Sequence, residues 1–196
     1  MMKILTNEQI KELANTHGIE YACLRAVIEV EASGSGFING LPKILYEPHI
    51  MHRLLTQNHL ITVRNKLMQE HPKLCYIRWG THRYGKTSEQ HSRLGIASGY
   101  SQEHALQSCS WGLGQVMGYH WKSLGYESLQ AFINDMYHSE AKQLEAMIRF
   151  IKTNGLLIHL KNKDWVRFAR GYNGSGYAKN KYHIKLASAY NKYKGS

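Results

Sequence analysis

The chain has little proline, little cysteine, few acidic residues and no long apolar run. Three prolines in 196 residues enforce few helix breaks, which favours a compact, mostly helical globule. Three cysteines, Cys23, Cys75 and Cys109, are scattered and form no Cys-x-x-Cys. An odd, widely spaced set argues against a disulfide framework and against a zinc site. No stretch approaches the ~20 apolar residues of a membrane span, so no stable membrane insertion is expected. Met1 to Asn7 hold no apolar core of signal-peptide length. The expectation is synthesis in the cytoplasm without an export signal. Fourteen Asp and Glu stand against 25 Lys and Arg, a formal net charge of +11. That excess implies an anionic partner: nucleic acid, a membrane surface or an acidic polymer such as a bacterial cell wall.

What is present begins with the stretch Ala26 to Phe37. Leu24, Val27, Ile28 and Glu31 follow the i, i+3, i+4, i+7 spacing of one helix face. Gly34 and Gly36 then read as a C-cap and a loop. A carboxylate ending an apolar stripe is desolvated, and the negative end of the helix adds to that effect. Both raise its pKa, which suits an acid that must hold a proton near neutral pH. A helix-end Glu turned into water is the bland alternative. Glu29 is a rival, but it lies off the stripe. It follows Arg25 by four residues, which reads as a surface ion pair.

In chain order, Thr6 or Asn7 caps a first helix ending at Gly18, and the Glu31 helix follows. Residues 41–47 read as a short extended run stopped by Pro48, which opens a helix through Leu55. Residues 56–87 carry basic and aromatic residues around Gly80 and Gly85 and read as a surface loop. Ser88, Ser101 and Ser128 are expected to cap helices. Residues 139–154 give the clearest helix, striped by Leu144, Met147, Ile148 and Ile151 and closed by Gly155. Asp164 caps a helix ending at Gly171, and a last helix covers roughly 179–193. No repeat, linker or composition break is visible. Residues 1–196 are therefore expected to form a single domain, with a monomer as the default.

Three more groups could carry chemistry. Glu47 sits sixteen positions after Glu31, beyond the glycine loop and the short strand. It could face Glu31 across a cleft, or merely favour the positive end of the next helix. Ser108-Cys109-Ser110-Trp111-Gly112-Leu113-Gly114-Gln115-Val116-Met117-Gly118-Tyr119 combines small residues with the Gln115 amide, which donates and accepts. The alternative is a tight helix–helix contact that needs glycine. Arg170-Gly171-Tyr172-Asn173-Gly174-Ser175-Gly176-Tyr177 sets Tyr and Asn, which stack on and bond to sugars, beside flexible glycines. It also reads as a plain turn. His49 and His52 lie at i, i+3, but no third metal ligand is evident, so neither a metal nor a cofactor is expected.

Taken together and in this order, these segments resemble a known family. Val30-Glu31-Ala32-Ser33-Gly34-Ser35-Gly36-Phe37, Pro42-Lys43-Ile44-Leu45-Tyr46-Glu47-Pro48-His49, Ser110 to Gly118 and Ala169 to Ala178 resemble the N-acetylmuramidase domain of phage endolysins. The Arg149 to Leu156 helix end and Asp164-Trp165 do so too. The resemblance covers nearly the whole chain and is thinnest over 56–87. More remotely, the sequence is similar to goose-type lysozymes and lytic transglycosylases. Two departures stand out. Ala32 replaces the usual Ser after the Glu, and Gly114 replaces a larger residue before Gln115. Neither removes an ionisable group.

The resemblance implies a mostly α, lysozyme-like α+β domain with a short β-hairpin or strand after the catalytic helix. It implies hydrolysis of the β-1,4 bond between N-acetylmuramic acid and N-acetylglucosamine in peptidoglycan, causing bacterial lysis. Glu31 would be the general acid and Glu47 the second carboxylate. Ser110, Gln115, Tyr172 and Asn173 would hold the sugar. A carboxyl separation of roughly 6.5–9.5 Å would invert the anomer, and one near 5 Å would retain it. Peptidoglycan would be the partner, with no nucleic acid. The enzyme would act in the periplasm or cell wall after release by a separate pore or secretion system. Two alternatives stand beside this reading. One is a lytic transglycosylase giving 1,6-anhydro products, for which Glu47 would not be required. The other is a non-catalytic basic module binding wall polymer or nucleic acid, centred on the Arg78–Lys86 loop, though no nucleic-acid-binding signature is present.

Overall fold

A computed structural model describes residues 4–32 and 34–195. Ser33, within the first motif, lies outside the described residues, as do Met1 to Lys3 of the N-terminal reading. Helix α1 spans Asn7–His17. Thr6 caps it in a reciprocal pair with Gln9, and Gly18 ends it at φ +59°. Helix α2 spans Tyr21–Glu31. It ends on Ala32, not on Gly34 as the sequence suggested. Strands β1 (Phe37–Ile38) and β2 (Leu41–Pro42) form the expected hairpin. Its turn is Asn39-Gly40, both at positive φ, the sequence a tight type I′ turn needs.

Strand β3 (Ile44–Tyr46) leads to α3 (Pro48–Gln57), whose first residue is proline as expected. Helix α4 (Ile61–Glu70) lies within the stretch read as a loop. Leu67 is its single fully buried residue among those described. Its apolar residues, Ile61, Val63, Leu67 and Met68, form only a faint stripe, so periodicity did not reveal it. Ser88 does not cap the next helix. It lies in a 3₁₀ turn, Thr87–Glu89, that feeds α5 (Gln90–Gln107). Helix α5 is broken at Ser101, where φ −162° and ψ 100° interrupt it. Ser101 thus starts a second segment, and its Oγ shares a 2.7 Å hydrogen bond with His104 Nδ1.

Strands β4 (Cys109–Trp111) and β5 (Val116–Met117) complete an antiparallel sheet in the order β3-β4-β5. Leu45 pairs with Ser110, and Ser110 pairs with Met117. Helix α6 (Leu129–His138) is capped by Ser128, and α7 (Glu140–Thr153) by Ser139. A short α8 (Leu157–Lys161) precedes α9 (Trp165–Asn173), capped by Asp164. Helix α9 runs two residues past the expected Gly171. Helix α10 (Tyr182–Tyr193) starts later than expected, because Lys181 takes a left-handed conformation at φ +56°.

One hydrophobic cluster runs from Ile10 to Leu186. The α7 stripe of Leu144, Met147, Ile148 and Ile151 lies fully inside it, each side chain contributing about 1.5–3 kcal/mol of burial. Helix α2 packs against α1 and α10, and β3 against α5. These contacts carry the end of α2 toward the end of α9. The fold is mostly helical with two small antiparallel sheets, as the sequence led us to expect.

Candidate active site

Leu24 and Val27 are fully buried and Ile28 is half-buried, so the α2 stripe faces inward as its spacing requires. Glu31, next on that face, is half-buried. Its Oε2 accepts a 2.7 Å hydrogen bond from Asn173 Nδ2. Its Oε1 is buried without a hydrogen-bond partner among the described residues, and so is Asn173 Oδ1. Burial raises the Glu31 pKa. The Asn173 hydrogen bond and the Lys185 charge oppose it, and burial prevails. The raised pKa expected from the sequence therefore follows from desolvation.

Asn173 is the last residue of α9, placed by the buried Phe168 and Ala169 on the same helix. Tyr172 stacks on Phe168, with ring centroids 5.7 Å apart and planes 15° from parallel. It also meets Phe150 edge-on at 5.7 Å. Its hydroxyl reaches the Gly114 carbonyl at 3.4 Å. Tyr172, Gln115, Tyr119, His120 and Phe150 line a cleft of about 210 Å³. Tyr172 joins this cleft to the Glu31–Asn173 pair. His120 and Phe150 were not singled out in the sequence. His120 lies against Tyr119 and Phe150, and burial, with Arg53 adding to it, lowers its pKa.

Gln115 and Ser110 have an internal duty. Gln115 adopts φ +48° in the β4–β5 turn. Its Nε2 donates to the Gly112 carbonyl at 2.8 Å and to the Lys43 carbonyl at 3.3 Å, and its Oε1 accepts from Ser110 Oγ at 2.9 Å. Both ends of the amide thus brace the turn that floors the cleft. The glycines of this segment serve packing too. A Cβ on Gly112 would strike Gln143, one on Gly114 would strike Met147, and one on Gly118 would come within 2.4 Å of the Leu106 carbonyl oxygen. These glycines therefore let the β4–β5 turn pack closely, Gly112 and Gly114 against α7, and Gly114 also lines the cleft.

Two polar residues at the start of α7 escaped the sequence reading. Glu140 is only 4% exposed. It accepts hydrogen bonds from Leu5 N at 2.8 Å and from Ser35 Oγ and Gly36 N at 2.7 Å. Gln143 donates to the Gly36 and Met136 carbonyls and accepts from Leu113 N at 2.8 Å. Together they fix the glycine loop after Glu31 to the turn below the cleft. An acidic residue after a capping Ser reads in sequence as a helix-end preference, which hides this role.

Glu47 precedes α3, and its backbone N donates to the Ser108 carbonyl at 2.9 Å. Its Oε2 accepts from the Tyr84 hydroxyl and lies 3.3 Å from His49 Nδ1. These groups differ from those around Glu31, so the two carboxylates are held separately. Glu29 is exposed and forms a surface ion pair as expected. Its partner is Lys192 Nζ at 2.8 Å, with Tyr193 also donating, and not Arg25. Arg25 instead donates to Asn7 and Tyr193.

Residues 20–194 match the N-acetylmuramidase family. The crystal structure of the Burkholderia AP3 phage endolysin is 39% identical, covers the whole of this chain and 74% of its own, and superposes with a TM-score of 0.90. No curated protein matches. With half-buried Glu31 at the end of α2, a helical fold with small sheets and a family match over nearly its full length, the chain belongs to the N-acetylmuramidase family, glycosidases of the lysozyme kind.

Proposed function

We propose that the protein hydrolyses the β-1,4 bond between N-acetylmuramic acid and N-acetylglucosamine in peptidoglycan, as an endolysin that lyses bacteria. The observation that carries this reading is the state of Glu31. Its pKa is raised by burial, and one carboxyl oxygen, Oε1, is buried and unbonded. A protonated carboxyl there can give its proton to the bridging oxygen as the bond breaks. Asn173 holds Oε2 and leaves Oε1 without a partner among the described residues, to carry the proton, while its own unpartnered Oδ1 accepts from a hydroxyl or acetamido N–H of the sugar. Tyr172 and the aromatic cleft pack against the sugar rings, and Ser110 and Gln115 keep the cleft floor in shape. Glu47 acts as the second carboxylate, orienting water or balancing the oxocarbenium charge. The protein acts on the cell wall from the periplasmic side, as a monomer.

Mass spectrometry of the products of purified peptidoglycan tests this. Reducing N-acetylmuramic ends are expected. The 1,6-anhydro ends of a lytic transglycosylase would remove Glu47 from the mechanism, and no soluble product would end the enzymatic proposal.

A further inference from the structure

Trp79 is 72% exposed and its neighbour Ile77 is 68% exposed, the two highest values among the large apolar residues described. An indole in water is costly in a basic, otherwise polar loop, and a large exposed apolar side chain beside a site points to a ligand. This loop is tied down at several points. Leu74, Cys75 and Tyr76 bury its start. Tyr76 meets His82 edge-on at 5.3 Å. Thr81 returns two hydrogen bonds to the Arg78 carbonyl. The buried Gln90 amide donates to the Tyr84 and Lys86 carbonyls at 2.8 and 3.0 Å, and it accepts from Tyr46 N at 3.1 Å, on the strand leading to Glu47. Tyr84, five residues after Trp79 in the same loop, donates its hydroxyl to Glu47. The loop that presents the exposed indole is therefore fastened to Glu47. Arg78 and Arg83 flank it, both exposed, and neither forms an ion pair with a described residue.

We propose that the loop 77–86 is a further substrate-binding subsite beside Glu47, taking a peptidoglycan glycan strand. Trp79 offers a flat face to the C–H face of a sugar ring. Arg78 and Arg83 meet the carboxylates of the strand's lactyl groups and stem peptides. The inference rests on the proposed function above and adds the part of the strand that lies beyond the cleaved bond. The Tyr84–Glu47 bond points to the occupant: the loop that presents the indole closes on the carboxylate proposed to act on the strand. Charge selects the same occupant, since the two cations suit an anionic glycan better than a neutral one.

Calorimetric titration tests it, with the full chain carrying Glu31→Gln so that the ligand is not consumed. The ligands are soluble uncrosslinked peptidoglycan strands and a neutral chito-oligosaccharide. Trp79→Ala is expected to weaken both about tenfold, and Trp79→Phe to recover most of that loss. Arg78→Ala with Arg83→Ala is expected to weaken the anionic strands about tenfold and the neutral oligomer less than twofold. Circular dichroism and melting confirm each fold. Trp79→Ala binding both ligands as its parent does would overturn the subsite. So would protection of Trp79 from acrylamide quenching by anionic lipid vesicles but not by strands. Muropeptide release by the wild-type chain beside an unaffected Trp79→Ala overturns the subsite alone. Absence of muropeptide release overturns the hydrolase reading and leaves the titration to decide the subsite.

Discussion

Asn173 Nδ2 stands 2.7 Å from Glu31 Oε2, joining residues 142 positions apart. That bond occupies one carboxyl oxygen and leaves the other buried without a hydrogen-bond partner among the described residues. Glu31→Gln keeps the size and the Asn173 contact but removes the acidic proton. Activity on purified peptidoglycan is expected to fall about 10²–10⁴-fold. Folding should survive. A group whose folded pKa is raised adds stability that is present below its unfolded pKa and lost as pH rises through the folded value. The variant should therefore gain melting temperature relative to wild type on going from pH 4 to pH 8. A folded Glu31→Gln enzyme with near-normal rate would remove Glu31 from the role of acid. If Glu29→Gln were the dead variant instead, the apolar-stripe argument would be wrong by two positions.

The pH profile follows from the same pair. An acid must be protonated to act, so the rate falls as pH passes its pKa. Burial puts that basic limb above the ordinary Glu value of roughly 4.3. Asn173 and Lys185 both favour the anion, Asn173 more strongly. Asn173→Ala and Lys185→Met should each move the basic limb of kcat/KM to higher pH, the first by more. Measured profiles that shift downward, or not at all, would contradict this placement of the charge.

Much of this arrangement was legible in the residues. The α2 stripe, Thr6, Ser128 and Asp164 as caps, Pro48 at the head of α3 and the α7 stripe all depend on local spacing, and all hold. What escaped depends on burial or on distant partners. Helix α4 buries only Leu67 fully among the described residues, with Val63 and Met68 partly buried beside it, so its stripe is faint. Glu29 pairs with Lys192 through the α2–α10 packing, which no local rule reveals. Glu140 and Gln143 look like surface residues of a helix start until the glycine loop is placed over them. The resemblance to muramidases supplied what spacing could not, namely the family to which these weak segments point.

Glu140 gives a test of that hidden clamp. Glu140→Ala strips the acceptor from Leu5 N, Ser35 Oγ and Gly36 N. An unmet buried donor costs about 1–3 kcal/mol, and each kcal/mol lowers Tm by roughly 2–4 °C at this chain length. Tm should fall accordingly, and kcat should fall with it, because the loop next to Glu31 loses its anchor. Glu140→Gln, which keeps one acceptor, should lie between the two. Thermal melts with unchanged Tm in Glu140→Ala would show that the clamp carries no weight.

Charge gives another. A protein of net +11 gathers on anionic walls by an attraction screened over about 8 Å at physiological salt. Lysis of cells with a permeabilised outer membrane is expected to fall steeply as NaCl rises. Cleavage of a short neutral chito-oligomer, where accepted, should change little. Equal salt sensitivity on both substrates would show that the charge does not act through the wall.

Glu47 separates the mechanisms. A hydrolase that positions water with a second carboxylate needs its charge, whereas a transglycosylase uses the sugar's own hydroxyl. Glu47→Gln should therefore cost a factor comparable to Glu31→Gln in a hydrolase and far less in a transglycosylase. Tyr84 sharpens the comparison, because its hydroxyl donates to Glu47 Oε2. Tyr84→Phe leaves the carboxylate in place without that donor. It should lower kcat by less than Glu47→Gln does. A Glu47→Gln enzyme with full activity and reducing-end products would show that water is positioned by another group.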